Sequence, residues 1–125
     1  MFDMYGKDRL IHVDVARALG WWDITGPHSS ILMYSGLHFR GYPPGHCIII
    51  GQPAPSIPYY WEDWEAIGSL IEQFKLTCYW EKDQWNVLFH SDLPEAVKGQ
   101  DKWLMMAVCR CIVAASDVIS KKAVQ

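Results

Sequence analysis

The sequence predicts an α+β fold: a three-layer α/β/α sandwich with an antiparallel sheet of about four strands and three helices. Three observations lead there. Two stretches, 7–19 and 59–75, repeat their apolar residues at helical spacing. A third, 101–120, is apolar almost all round over most of its length, as a deeply packed helix is. Between the second and third lie two aromatic-rich alternating runs joined by three polar residues, the pattern of an antiparallel hairpin. With 125 residues, half of them hydrophobic, the chain reads as one domain, 1–125, with ample core.

Helix one spans Lys7 to Leu19. Leu10, Ile11, Val15, Ala18 and Leu19 share a stripe, and Gly20 is placed to end the helix. Trp21 to Pro58 then holds six of the seven prolines and five of the nine glycines, which break any helix. Ile31–Tyr34 and Cys47–Ile50 are its two strand-like runs. The segment is either a hairpin with a Pro-rich connection or an irregular functional loop. Helix two follows Pro58, with Trp64, Ile67, Ile71 and Phe74 on one face. Glu62, Asp63 and Glu65 crowd its first turn, where the helix dipole favours negative charge, and Lys75 closes it. Leu76–Glu81 and Trp85–His90 are strands joined by Lys82-Asp83-Gln84. Ser91–Gln100 reads as a polar linker. Helix three starts near Asp101, a suitable N-cap, and runs to about Ser120. Between Trp103 and Ala115 its one charge is Arg110. Such a helix is a central core helix, an oligomer interface, or both.

Composition narrows the function classes. The formal net charge is −3, unlike the basic footprint of a nucleic-acid-binding domain. Met1–Leu10 has no apolar signal region, and the longest apolar run, Trp103–Cys109, is too short to span a bilayer. A cytosolic protein without nucleic-acid or membrane partners is expected. Cys47, Cys78, Cys109 and Cys111 are expected as buried thiols. Cys109 and Cys111 are turned about 200° apart on a helix, so they cannot share a metal ion. His12, His28, His38, His46 and His90 are scattered and read as packing or surface residues. No nucleophile elbow, phosphate-binding loop or zinc-protease motif occurs, so neither catalysis nor a cofactor is expected. A Cys–His nucleophile pair stays open, because such partners meet only in the fold.

Four motifs carry a resemblance. They are Val15-Ala16-Arg17-Ala18-Leu19-Gly20-Trp21, the stretch Pro58 to Ile67, Trp80 with Trp85-Asn86-Val87-Leu88-Phe89, and Ala107 to Ala115 around Cys109-Arg110-Cys111. In order and spacing they resemble the phage ABA-sandwich group, which includes the NinX-like proteins. Trp61 departs from it, standing where the group has a small capping residue. In organisation the chain is also similar to the Thoeris anti-defence sponge proteins of phages. That resemblance implies a non-enzymatic homo-oligomer in the host bacterial cytoplasm. It would sequester a cyclic nucleotide or an ADP-ribose-derived immune signal.

The candidate ligand-binding residues are Arg110, Arg40, Tyr42, His46, Tyr60, Trp61 and Trp103. Arg110 either clamps a phosphate or carboxylate through its planar fork, forms a structural ion pair, with Glu62 or Asp63 as partner, or snorkels to the surface. Trp61, Trp64, Trp80, Trp85 and Trp103 either line a slot that stacks on a base or fill core and interface. The segment Arg40–His46 combines a cation, an aromatic ring and flexible backbone. It is either a binding loop on a rigid scaffold or a surface loop. The expected function is sequestration of the nucleotide-derived signal without catalysis. The alternative is an interaction module that binds a host or phage protein and no small ligand.

Overall fold

The computed structural model describes residues 10–27, 38–90 and 96–119. In chain order the elements are α1 (Ile11–Ala18), β1 (Trp22–Thr25), β2 (Arg40–Tyr42), α2 (Trp64–Gln73), β3 (Thr77–Glu81), β4 (Gln84–Phe89), β5 (Val97–Asp101) and α3 (Leu104–Ala114). A further helical turn covers 116–119. The fold is mixed α+β with antiparallel pairing throughout, the class that the sequence predicts. Among the described residues the strands number five and divide between two sheets, β1-β2 and β3-β4-β5, where one sheet of about four was expected. The fifth is β5, inside the stretch read as linker. Val-Lys-Gly-Gln-Asp has no strand signature of its own. Pairing with β4 holds it, from Phe89↔Val97 to Trp85↔Asp101.

Helix α1 ends as its sequence dictates. Gly20 adopts φ +96°, its N–H donates to Arg17 O, and Trp21 N–H donates to Ala16 O. This paired closure satisfies the last carbonyls of the helix. Helix α2 begins later than expected, at Trp64. Asp63 is its N-cap and accepts from the Ala66 N–H at 3.0 Å, while 59–62 forms a turn closed by Glu62 N–H to Tyr59 O. Lys75 takes the left-handed conformation, φ +52°, so that Leu76 N–H reaches Ile71 O. The β3–β4 hairpin is tighter than the predicted three-residue loop. Lys82 and Asp83 have φ +57° and +61° and Glu81 pairs with Gln84, the two-residue turn whose twist matches its strands.

The hairpin anticipated in the Pro/Gly-rich segment exists, with other strands. Ile31–Tyr34 lies outside the described residues. Cys47–Ile50 is not a strand: it is turn and coil, and Ile50 is 96% exposed. The pair is β1 with β2, registered Trp22↔Tyr42 and Thr25↔Arg40 across an irregularity. On its other edge β2 meets residues 55–57, through Gly41 N–H to Pro55 O and Ile57 N–H to Phe39 O.

The core centres on α3. One side packs on β4 and β5, the other on α1, and Met106, Ala107, Val108, Cys109, Cys111 and Ile112 are all buried. Cys109 and Cys111, two apart on this helix, face different neighbours inside the protein. Cys111 donates its thiol toward Val97 O at 3.7 Å, whereas Cys109 lies against Tyr60. Both are buried, Cys78 is half-buried, and Cys47 is exposed, contrary to the expectation for that thiol. The sheet face toward α3 carries Val87, Phe89 and Gly99. The other face carries Thr77, Glu81, Lys98 and Gln100, all exposed, with Asn86 accepting from Gln100 Nε2 at 2.8 Å.

Candidate functional site

The seven residues expected to bind ligand do not form one site. Tyr60 and Trp61 belong to the core, at 4% and 1% exposure. The Trp61 ring meets the His12 ring edge to face at 5.1 Å, and His12 also faces Tyr59 and Phe39. The Tyr60 hydroxyl takes a hydrogen bond from Trp21, and burial holds its pKa well above the usual 10.0. Neither ring can stack on a ligand without unfolding this cluster, which corrects their assignment. The reason is local: the turn over 59–62 folds both rings inward before α2 begins.

Arg110 sits on α3 beside the end of β5. Its Nε donates to Asp101 Oδ2 at 3.2 Å, and Asp101 Oδ1 accepts from the Trp103 N–H at 3.0 Å. The structural-pair reading is thus realised with Asp101, not with Glu62 or Asp63. Asp101 joins strand end, helix start and cation. Trp103 is the N-cap residue of α3 and half exposed. Arg40 Nη1 donates to Ala54 O at 2.7 Å. Tyr42 stacks on Trp22, with centroids 4.8 Å apart. Tyr42 and His46 also border a small recess of about 130 Å³ with Cys47, Ile49 and Gln52.

The larger feature is an open cleft of about 580 Å³ where the 55–58 stretch meets the start of α2. Its walls include His38, Ser56, Tyr59, Glu62, Asp63 and Trp64. The backbone pairing of 39–41 with 55–57 aligns one wall. It sets His38 diagonally across from Ser56, with Nε2 and Oγ 2.8 Å apart. The 59–62 turn places Tyr59 and Glu62 on the same rim. Burial and the Glu62 carboxylate both raise the Tyr59 hydroxyl above its usual 10.0. Trp64 is 61% exposed. Read from the sequence as part of the apolar face of helix two, it instead presents its ring to this cleft, because the helix starts there; Ile67 and Leu70 supply the buried face.

The sequence by itself marks none of His38, Ser56 and Tyr59 for a site. It offers Trp64 only as one of five rings that either line a slot or fill the core, and Glu62 and Asp63 as dipole-favouring surface charges. The available signal was the Pro58–Ile67 motif itself, which forms much of the wall. Among the described residues, no three His, Cys, Asp or Glu side chains converge as metal ligands would. Nor is any described helix long and apolar enough to cross a membrane. Comparison with protein-family models, with curated proteins and with solved structures returns no match.

Proposed function

We propose that this chain is a non-catalytic binding protein that sequesters a small ring-bearing ligand in the cleft at the start of α2. The observation that carries this is the meeting of the exposed Trp64 ring and the half-buried Tyr59 side chain with hydrogen-bonding groups in one cleft. Aromatic walls with a few placed polar groups are the usual composition of small-molecule sites. A base stacked on such a ring gains about 1–3 kcal/mol. A nucleotide-derived immune signal, as the resemblance to phage ABA-sandwich and sponge proteins implies, offers that ring. In that reading the chain is a phage accessory protein of the host bacterial cytoplasm, and a homo-oligomer completes the pocket.

A thermal-shift panel of nucleobases, nucleosides, cyclic oligonucleotides and cyclic ADP-ribose isomers tests this. A ligand at 100 times its Kd stabilises by about 2.7 kcal/mol, the Trp64→Ala variant loses the shift, and heat denaturation returns the ligand unchanged. Shifts with bases alone would keep the cleft and remove the immune-signal ligand. No shift with any ring-bearing compound sinks the proposal.

One observation favours a second reading, an interaction module for a host or phage protein. Ile48, Ile49 and Ile50 are each more than half exposed in succession, and contiguous exposed apolar surface marks interaction sites. Replacing all three with serine would abolish capture of such a partner and leave small-ligand shifts intact.

A further inference from the structure

We infer that the ligand of this cleft carries a positively charged nitrogen next to its ring, so that the site selects organic cations over neutral or anionic compounds. The inference rests on the binding reading above for its aromatic cleft, and puts a cationic ring compound in place of the phosphate-bearing signal. Two kinds of wall meet in the cleft. The exposed Trp64 offers a π face, which attracts cations through the ring quadrupole, Trp most strongly, and Tyr59, packed on His12 and Trp61, adds its side chain to the rim. Glu62 and Asp63 add carboxylates on the same walls. The Glu62 charge acts inside the cleft, since it disfavours ionisation of the Tyr59 hydroxyl.

Among the described residues that line the cleft there is no lysine or arginine; the His38 ring and the amino end of α2 are the groups that partly offset that charge. From Gly41 to Phe74 the sequence contains Glu62, Asp63, Glu65 and Glu72 and no lysine or arginine. Arg40, the preceding cation, directs its guanidinium to the Ala54 carbonyl. Arg110 is engaged at Asp101 on another part of the fold. A phosphate placed between Glu62 and Asp63 would meet like charge, whereas an ammonium group would meet two carboxylates and the Trp64 ring. Asp63 Oδ1 is occupied by the Ala66 N–H, which fixes the side chain in position as a helix cap. Its negative charge therefore has a set location.

Three probes with one ring and three charges test this by titration calorimetry: tryptamine, N-acetyltryptamine and indole-3-propionate. Tryptamine is expected to bind at least about tenfold tighter than its neutral N-acetyl derivative, with the propionate weakest. Raising salt from about 50 to 500 mM shrinks the gap, because the carboxylates lie in an open cleft. The double variant Glu62→Gln, Asp63→Asn removes the charge preference and keeps the affinity for the neutral probe. Asn caps a helix as well as Asp, so α2 is retained, and circular dichroism verifies it. Trp64→Ala weakens all three probes. Equal binding of cation and neutral probe, or a preference that survives the double variant, overturns the inference while the cleft reading stands. No binding of any probe at millimolar concentration overturns the inference, and a flat thermal-shift panel beside it overturns the cleft reading as well.

Discussion

Gly99→Ala is the substitution the structure constrains most. Gly99 lies at the centre of β5, paired with Val87 and pressed on α3. A Cβ there would fall on the backbone of α3, onto Cys111 N and Ala107 O, and only 2.8 Å from Cys111 Cα. Ordinary contact begins near 3.4 Å, so for Cys111 Cα alone the helix must retreat 0.6 Å (3.4 − 2.8). No side chain can absorb this, because every clashing atom is backbone. Nor can α3 move by itself, since α1 packs on its other side. Overpacking a well-filled core costs about 1–3 kcal/mol, and a backbone-on-backbone clash belongs at the upper end. With a urea slope of about 2 kcal/mol/M, a loss of about 3 kcal/mol lowers the midpoint by about 1.5 M. Equilibrium urea denaturation followed by tryptophan fluorescence reads this directly. A cost below about 0.5 kcal/mol, the range of neutral surface changes, would refute the claim that β5 and α3 are locked through this glycine.

Three other perturbations probe helix α2, the Arg110 pair and the buried core. Gly68→Ala is the opposite case: Gly68 is exposed inside α2, and a Cβ added there would meet nothing within 4 Å, so alanine should stabilise by about 0.5–1 kcal/mol in the same urea assay. Arg110→Ala should cost about 1 kcal/mol by breaking a partly buried pair with Asp101, with ligand shifts at the α2 cleft unchanged. Lost ligand binding at unchanged stability would instead restore Arg110 as a clamp. Alkaline pH should weaken the fold. Burial pushes the Cys111 thiol from 9.0 up to about 12 and raises Tyr60 above 10.0. The unfolded chain releases these protons first, so stability is full below pH 9 and falls as pH rises toward 12. Cys111→Ala should flatten that decline, and parallel wild-type and variant curves between pH 9 and 11 would contradict it.

Elements with strong local signals were legible in the sequence. Gly20 ends α1, the alternating runs pair as β3 and β4, and the all-round apolar stretch is the buried α3. What was not legible depends on neighbours. β5 is a strand because β4 offers a free edge and Gly99 fits against α3, neither of which its composition announces. Cys47–Ile50 has strand composition but no partner strand among the described residues, and its isoleucines are exposed. Trp64 satisfies the helical period of α2 but opens the helix, and the period alone does not tell a core ring from a cleft ring. The cleft itself arises from pairing between 39–41 and 55–57, residues far enough apart in sequence that no local pattern links them. Arg110 was recognised as a residue needing a partner, but the partner lay in the unrecognised strand.

The two-sided burial of α3 has a kinetic corollary. Cys109 and Cys111 point to opposite neighbours, yet both are shielded, while Cys47 stands in solvent. A thiol-specific reagent therefore meets Cys47 at once, the half-buried Cys78 more slowly, and two thiols behind a gate. The immediate phase reports the loop. The delayed phase counts openings of the central helix, because buried thiols react only when the structure around them opens. The chain thus carries its own clock for core opening, readable without any introduced label.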